Sequence, residues 1–340
     1  MKAAFLYGKH DIKVREVPIP TIGEDEVLIR IKRAAICGSD VRMFQNGAKG
    51  VDEGHPLIIG HELSGVIEET GARVKRYHKG MRVTVAPNMG CGICDDCIRG
   101  RNYRALGINI DGGFAEYMRV PAAAVSAGNI VELSERVSFS EAAIAEAMSC
   151  VLNGCQQCNI RPGDSVLIIG AGPIGIMHGM LAKLSGATRI FINDIASNRL
   201  EECRRIDPAF ITVLGDPEAI IKEQTGQKGV DVVITACPVP AAQQEALELA
   251  ANYGRVCFFG GLPEDKKMVS LNSNAIHYKQ LSVTGTTRAS LAQFKEVVGF
   301  LEAGVLDVSK LITRELALED IEKGFAYACA SDGLKNVIRM

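Results

Sequence analysis

No stretch of this chain reaches the ~18 uninterrupted apolar residues that a membrane-crossing helix requires, so no membrane role is expected. An excess of charge of one sign is also missing. The 38 Lys+Arg and 40 Asp+Glu residues leave a net charge of −2, which supplies no field to draw a phosphate backbone or an anionic lipid surface, and a general nucleic-acid binder is disfavoured. The opening segment Met1-Lys2-Ala3-Ala4-Phe5-Leu6-Tyr7-Gly8 is too short and too polar at its flanks for a secretory signal, and a cytoplasmic protein is expected. In that reducing compartment the 11 cysteines are not a disulfide framework, and their odd number agrees. Metal ligation becomes the first expectation for them. Internal repeats, low-complexity tracts and long charge runs are absent too.

What is present is an ordinary globular composition, 47% hydrophobic and 23% charged, long enough to bury a large core without staples. At 340 residues the chain amounts to two domains of ~150 residues each. The first ~135 residues are interrupted by Gly and Pro at close spacing and carry short β-branched runs, Val27-Leu28-Ile29-Arg30-Ile31, Gly65-Val66-Ile67 and Arg82-Val83-Thr84-Val85, which predict an all-β, partly closed sheet. Ser138-Phe139-Ser140-Glu141 is a capping box ahead of the apolar run Ala142 to Leu152, so a bridging helix is expected there. Strand and helix patterns then alternate: Asp164 to Gly170, Ile176 to Leu184, Arg189 to Asn193, Asn198 to Arg205, Val230 to Thr235, Ala241 to Ala250 and Arg255 to Phe259. This is βαβ repetition, the pattern of a doubly wound parallel sheet. The last ~50 residues, with Leu291 to Glu302, Leu311-Ile312-Thr313 and Leu318 to Ala328, either cap the second domain or return to the first.

Gly170-Ala171-Gly172-Pro173-Ile174-Gly175 is G-x-G-x-x-G, set directly after an unbroken apolar strand and before a predicted helix. The first glycine permits the tight turn, the second lets backbone approach a pyrophosphate, and the third packs helix against strand, while the helix N-terminus stabilises the anion. Asp194, at the end of the next strand, is placed to accept hydrogen bonds from both ribose hydroxyls and to repel a 2′-phosphate. NAD is therefore preferred over NADP, with nearby Arg199 leaving room for the latter.

Two cysteine-containing regions suggest metal. Cys91-Gly92-Ile93-Cys94-Asp95-Asp96-Cys97 spaces three thiols for one tetrahedral zinc ion, but no cysteine follows within the next 50 residues. Asp95, Asp96 or a water completes the shell, or the lobe holds no metal. The second set is dispersed: Cys37 in Ile36-Cys37-Gly38-Ser39-Asp40, His61 and Glu62 in Gly60-His61-Glu62-Leu63-Ser64-Gly65, and Glu146 within the apolar run. A carboxylate in such a run is costly unless it is paired or ligates a cation. Neighbours in a strand point to opposite faces, so His61 and Glu62 share a metal only if the chain turns at Gly60.

Taken together, Cys37-Gly38-Ser39-Asp40, Gly60-His61-Glu62 with Gly65, the Cys91/Cys94/Cys97 lobe, Asp111-Gly112-Gly113-Phe114-Ala115-Glu116-Tyr117 and Gly170 to Gly175 resemble the zinc-containing medium-chain dehydrogenase/reductase family, particularly its sorbitol and threonine dehydrogenase branches. The likeness spans essentially the whole chain. It implies a mainly-β GroES-like catalytic domain over residues 1–150, an α/β Rossmann domain over 151–290, and a C-terminal segment, 291–340, that returns to the catalytic domain. It also implies a homodimer or homotetramer. Carried over by motif, Cys37, His61 and Glu62 ligate a catalytic zinc ion, Glu146 ligates it or sits close by, Ser39 relays the substrate proton and Asp40 supports the ligands. The missing fourth cysteine puts a structural zinc ion in doubt.

The reaction so implied is reversible oxidation of a secondary alcohol, with the hydride passing to NAD. The substrate expected first is a polyol, sugar alcohol or sugar phosphate. Arg42 stands where the polyol and threonine enzymes often have His, either to pair with a substrate phosphate or carboxylate or as a solvated loop residue. Three rival readings are kept: oxidation of a 3-hydroxy amino acid such as L-threonine, a zinc-free reductase of quinones or enals on the same fold, and a dinucleotide-binding sensor without turnover.

Overall fold

The computed structural model describes residues 1–90, 93–98 and 104–340. The chain divides into two compact units, Met1–Ser149 together with Ala289–Met340, and Cys150–Arg288.

The main sheet of the first unit is built on the strand Val27–Ala35, whose Val27, Ile29 and Ile31 are fully buried. Among the described residues the strand order is Ile130–Glu132, Arg82–Val85, Glu62–Thr70, Val27–Ala35, Lys335–Arg339, Ile312–Ala317, with Tyr117–Val120 also pairing to Val27–Ala35. Two registers matter for function. Ala35 lies opposite Glu62 on one side and opposite Val337 on the other, both antiparallel. The last strand of the chain therefore enters beside the segment leading to Cys37. A smaller sheet pairs Lys2–Gly8 with Asp11–Glu16 and Leu57–Ile58. Phe114, Phe325, Leu63, Ile67 and Met118 fill the core between these layers.

The expectation of an all-β first segment is corrected by a helix, Gly38–Asn46, that starts directly after Cys37. Its cause is local. Cys37 occupies the N-cap position, and the Asp40 carboxylate accepts the Cys37 backbone N–H at 2.9 Å, closing a capping box in a stretch whose Gly-Ser-Asp content opposes a strand. The capping box at Ser138 forms as expected, with Glu141 as its partner, but the helix it opens ends at Ala143 and a second runs Ala145–Gln157. Between them the Ile144 N–H donates to Glu141 O, a three-residue reach that tightens the turn and breaks the helix.

The second unit is a six-stranded parallel sheet among the described residues, in the order Ile211–Leu214, Arg189–Asp194, Ser165–Ile169, Val230–Thr235, Ala250–Phe258, Ser282–Gly285. Ser165–Ile169 is buried at every position, which explains its unbroken apolar sequence. The strand order reverses beside it, and the loop at its carboxyl end is the place where doubly wound sheets bind ligands. Ile211–Leu214 and Ser282–Gly285, at the two edges, escape the sequence pattern because they are short and partly solvated. No helix among the described residues is long and apolar enough to cross a membrane.

Gly65, on the strand Glu62–Thr70, packs directly against Val27–Ala35: a Cβ there would sit 2.3 Å from Arg30 O. Gly65→Ala is expected to destabilise the first unit by about 1–3 kcal/mol, read as a lower midpoint of chemical denaturation. An unchanged midpoint would contradict the close approach.

Candidate metal centre and dinucleotide loop

Three segments deliver the chemistry of the first unit. Val27–Ala35 runs through Ile36 into Cys37, the helix beginning at Gly38 presents Ser39 and Asp40, and Glu62 opens its own strand opposite Ala35. His61 precedes that strand, after Gly60 with φ +94°, a left-handed turn that breaks the alternation and lets consecutive side chains serve one point. A Cβ on Gly60 would fall 2.9 Å from the Phe114 ring. The Asp111-Gly112-Gly113-Phe114 segment clamps this turn: Gly112 N–H donates to Ile58 O at 2.7 Å, Gly113 N–H to Gly60 O at 2.8 Å, Phe114 N–H to Ile59 O at 3.1 Å, and Asp111 accepts from Ile58 N–H at 3.2 Å.

Cys37, His61 and Glu62 each offer a ligand atom within 4.8 Å of the others, and among the described residues this is the one such group of three. His61 Nδ1 faces Asp40 Oδ1 at 3.4 Å, while Nε2 lies 3.3 Å from Ser39 Oγ and 3.9 Å from Glu146 Oε2. This is the carboxylate–imidazole arrangement that turns the outer ring nitrogen toward a metal. Burial opposes a charged imidazole, yet the Asp40 carboxylate and the Cys37 sulfur outweigh burial and hold the His61 ring well above its usual pKa. A cation ligated by the ring would take the place of that proton. Glu146 is buried and reaches the edge of the cluster, but is not one of the three mutually close donors. In the other region Cys94 and Cys97 bring their sulfurs to 3.4 Å, and Cys94 is exposed; Cys91 lies outside the described residues.

One residue of the site escaped the sequence reading. Lys335 is buried and its Nζ donates to Glu62 Oε2 at 2.5 Å and to Ile36 O at 3.1 Å. Burial alone would depress its pKa; Glu62 and Cys37 more than offset that and keep it raised. The available signal was the alternation Lys335, Val337 in a run ending Val337-Ile338, which sets the lysine on the same strand face as a core valine.

In the second unit Gly170 has φ +111°, and a Cβ on Gly175 would lie 1.8 Å from Gly170 O, so both glycines are sterically required. Gly172 caps the helix Pro173–Leu184, with Pro173 at its first turn, and Gly172, Pro173 and Ile174 are half-buried. Asp194 accepts the Ala171 N–H at 2.7 Å and the Ala196 N–H at 2.9 Å, which ties the acid to the loop. Arg199 lies over the same loop, its Nη1 3.1 Å from where a Gly172 Cβ would be.

Residues 23–129 match the alcohol dehydrogenase GroES-like domain model and residues 173–303 match the zinc-binding dehydrogenase model. The chain is 36% identical over 324 residues to the L-threonine 3-dehydrogenase of Bacillus velezensis, covering 92% of this chain and 90% of that one. The chain belongs to the zinc-containing medium-chain dehydrogenase/reductase family. It is an oxidoreductase, its fold a GroES-like domain with a Rossmann domain. To the sorbitol dehydrogenase of Bacillus subtilis it is 31% identical, covering 96% and 93% of the two chains. A solved zinc-binding dehydrogenase from Sinorhizobium meliloti, bound to NADP, superposes with a TM-score of 0.87 at 28% identity, covering 100% of this chain and 99% of that one. Zinc fits the residues present: thiolate, imidazole and carboxylate are its usual protein ligands, and Glu62 Oε1 is buried with no hydrogen-bond partner.

The place of Asp194 at the loop generates a coenzyme prediction. Asp194→Ser is expected to lose about 1.5–3 kcal/mol of binding to NAD, a charge-assisted hydrogen-bond loss of roughly tenfold to hundredfold, while NADP is affected less. The check is the ratio of kcat/KM for the two coenzymes. A ratio equal to that of the unaltered protein would remove Asp194 from ribose recognition.

Proposed function

We propose that this dehydrogenase oxidises a secondary alcohol of a polyol, sugar alcohol or sugar phosphate to the ketone, with NAD as hydride acceptor and zinc held by Cys37, His61 and Glu62, Glu146 adjoining. The observation that carries this reading is the convergence of the three donors within 4.8 Å, with Ser39 Oγ 3.3 Å from His61 Nε2. Bound zinc supplies a Lewis acid that lowers the proton affinity of a hydroxyl oxygen beside it. The chain's own residues do the rest. Asp40 faces the inner nitrogen of the His61 ring as its ion-pair neighbour; the hydroxyl of Ser39, on the first turn of its helix, takes the alcohol proton and passes it outward. The buried surroundings of His61 and Glu62 keep water from competing for the site. Gly170, Gly172, Gly175 and the helix they open cradle the pyrophosphate, and Asp194 the ribose, so that the carbinol hydride passes to the nicotinamide.

Oxidation of L-threonine or another 3-hydroxy amino acid is the second reading, favoured by the likeness to the Bacillus velezensis enzyme over nearly the whole chain. Both readings include substrates with an anionic group. Arg42, exposed and one helical turn beyond Ser39, has the bidentate geometry to meet a phosphate or carboxylate.

A screen of NAD and NADP reduction over polyols, sugar phosphates, threonine and simple alcohols, run with and without chelator, tests the reading. The expected result is chelator-sensitive NAD reduction, fastest with a polyol or its phosphate. Preference for threonine would transfer the assignment to the second reading, and reduction of quinones or enals that survives chelation would overturn both. Arg42→Ala should raise KM for the anionic substrates alone.

A further inference from the structure

Glu62 and Lys335 form an ion pair almost wholly removed from water, with 0% and 4% of their surfaces exposed. The pair is lopsided. Oε2 of Glu62 takes the Lys335 ammonium at 2.5 Å, whereas Oε1 is buried with no hydrogen-bond partner at all. The lysine is fixed from its other side by Ile36 O, at 3.1 Å, one residue before Cys37. Its backbone is fixed as well. The strand Lys335–Arg339 pairs with Val27–Ala35, and the Ile36 N–H donates to Asn336 O at 2.9 Å, so continuing the register sets Lys335 level with Cys37.

An ion pair of this kind does not justify itself by stability. Burying a carboxylate and an ammonium costs about as much as their attraction returns, and an apolar pair of similar volume serves a core as well or better. What the lysine does achieve is a distinction between two otherwise equivalent oxygens. A free carboxylate beside a divalent cation engages with one oxygen or with both; one whose second oxygen is held by an ammonium has a single oxygen to give.

We propose that Lys335 is a positioning residue that reserves Oε2 of Glu62, so that the carboxylate offers the metal Oε1 alone and a ligand position stays open to the substrate hydroxyl. The inference rests on the reading of Cys37, His61 and Glu62 as the metal site. It also removes one unit of negative charge from the surroundings of the metal, which preserves its power to acidify an alcohol. The sign of the consequence separates this role from a structural one. Without the ammonium, Glu62 is a buried carboxylate whose strongest remaining partner is the cation, so it engages more fully and the metal is held harder. A lysine that merely packs the strand would, when lost, loosen the site and release the metal faster.

The test uses the full-length protein loaded with cobalt(II), whose visible absorption reports both thiolate ligation and coordination number. Lys335→Met keeps the aliphatic stem and removes the charge. It is expected to weaken the d–d bands, to slow metal loss to a chelator by about tenfold and to lower kcat by a similar factor, with KM for the coenzyme unchanged. Lys335→Arg, which keeps a cation on Oε2, should retain the unaltered spectrum. Lys335→Gln, a neutral donor that spares the fold if the Met variant does not accumulate, should fall between the two. Unchanged d–d intensity and unchanged or faster metal loss in the folded Met or Gln variant would overturn the role of Lys335 while leaving the metal site in place. Absence of any thiolate-to-cobalt band in the unaltered protein would overturn the metal-site reading, and this inference with it.

Discussion

A carboxylate taken wholly out of water is among the most costly things a protein can contain, and among its described residues the first unit carries two of them, Asp40 and Glu62, with no exposed surface. Most of the local structure around residues 35–62 is an answer to that cost. Asp40 spends one oxygen on the Cys37 N–H and turns the other to His61; Glu62 spends one on Lys335 and leaves the other bare. Cys37, His61 and Glu62 each keep one donor atom within 4.8 Å of the others, an arrangement that a divalent cation would complete. The fold around them supplies rigidity: a left-handed glycine, a clamp of three backbone hydrogen bonds and one to the Asp111 carboxylate, and a helix whose cap is itself part of the site.

The second unit solves a different problem by similar means. Its doubly wound sheet ends a fully buried strand at a loop where backbone must come close to an anion, and the glycines there are imposed by contact distances. Asp194 is held by two backbone N–H groups, so the acid proposed to meet the ribose is positioned in advance. Arg199 lies over the same loop, its Nη1 3.1 Å from where a Gly172 Cβ would be.

Much of this could be read from the residues. The loop Gly170 to Gly175 declared itself because strand, turn and helix impose their own periods, and Leu291–Glu302 and Val230–Thr235 fall where the apolar pattern placed them. Cys37, His61 and Glu62 could be singled out as candidate ligands by residue type, but only a family likeness tied together residues that spacing alone leaves apart. The helix Gly38–Asn46 was hidden by an uncommon N-cap, a cysteine in place of Ser, Thr, Asp or Asn. Lys335 was hidden more deeply: it comes from the far end of the chain, and only the pairing of Lys335–Arg339 with Val27–Ala35 brings it to Glu62. Long-range pairing of that kind leaves no local mark.

The account depends on a divalent ion seated by Cys37, His61 and Glu62, and metal analysis of Cys37→Ala beside the unaltered protein tests it most directly. The variant is predicted to lose about one equivalent of zinc per chain together with all alcohol oxidation, while still binding the reduced coenzyme, because the thiolate is an indispensable ligand and the Gly170 loop belongs to the other unit. Zinc content equal in the two proteins would contradict it.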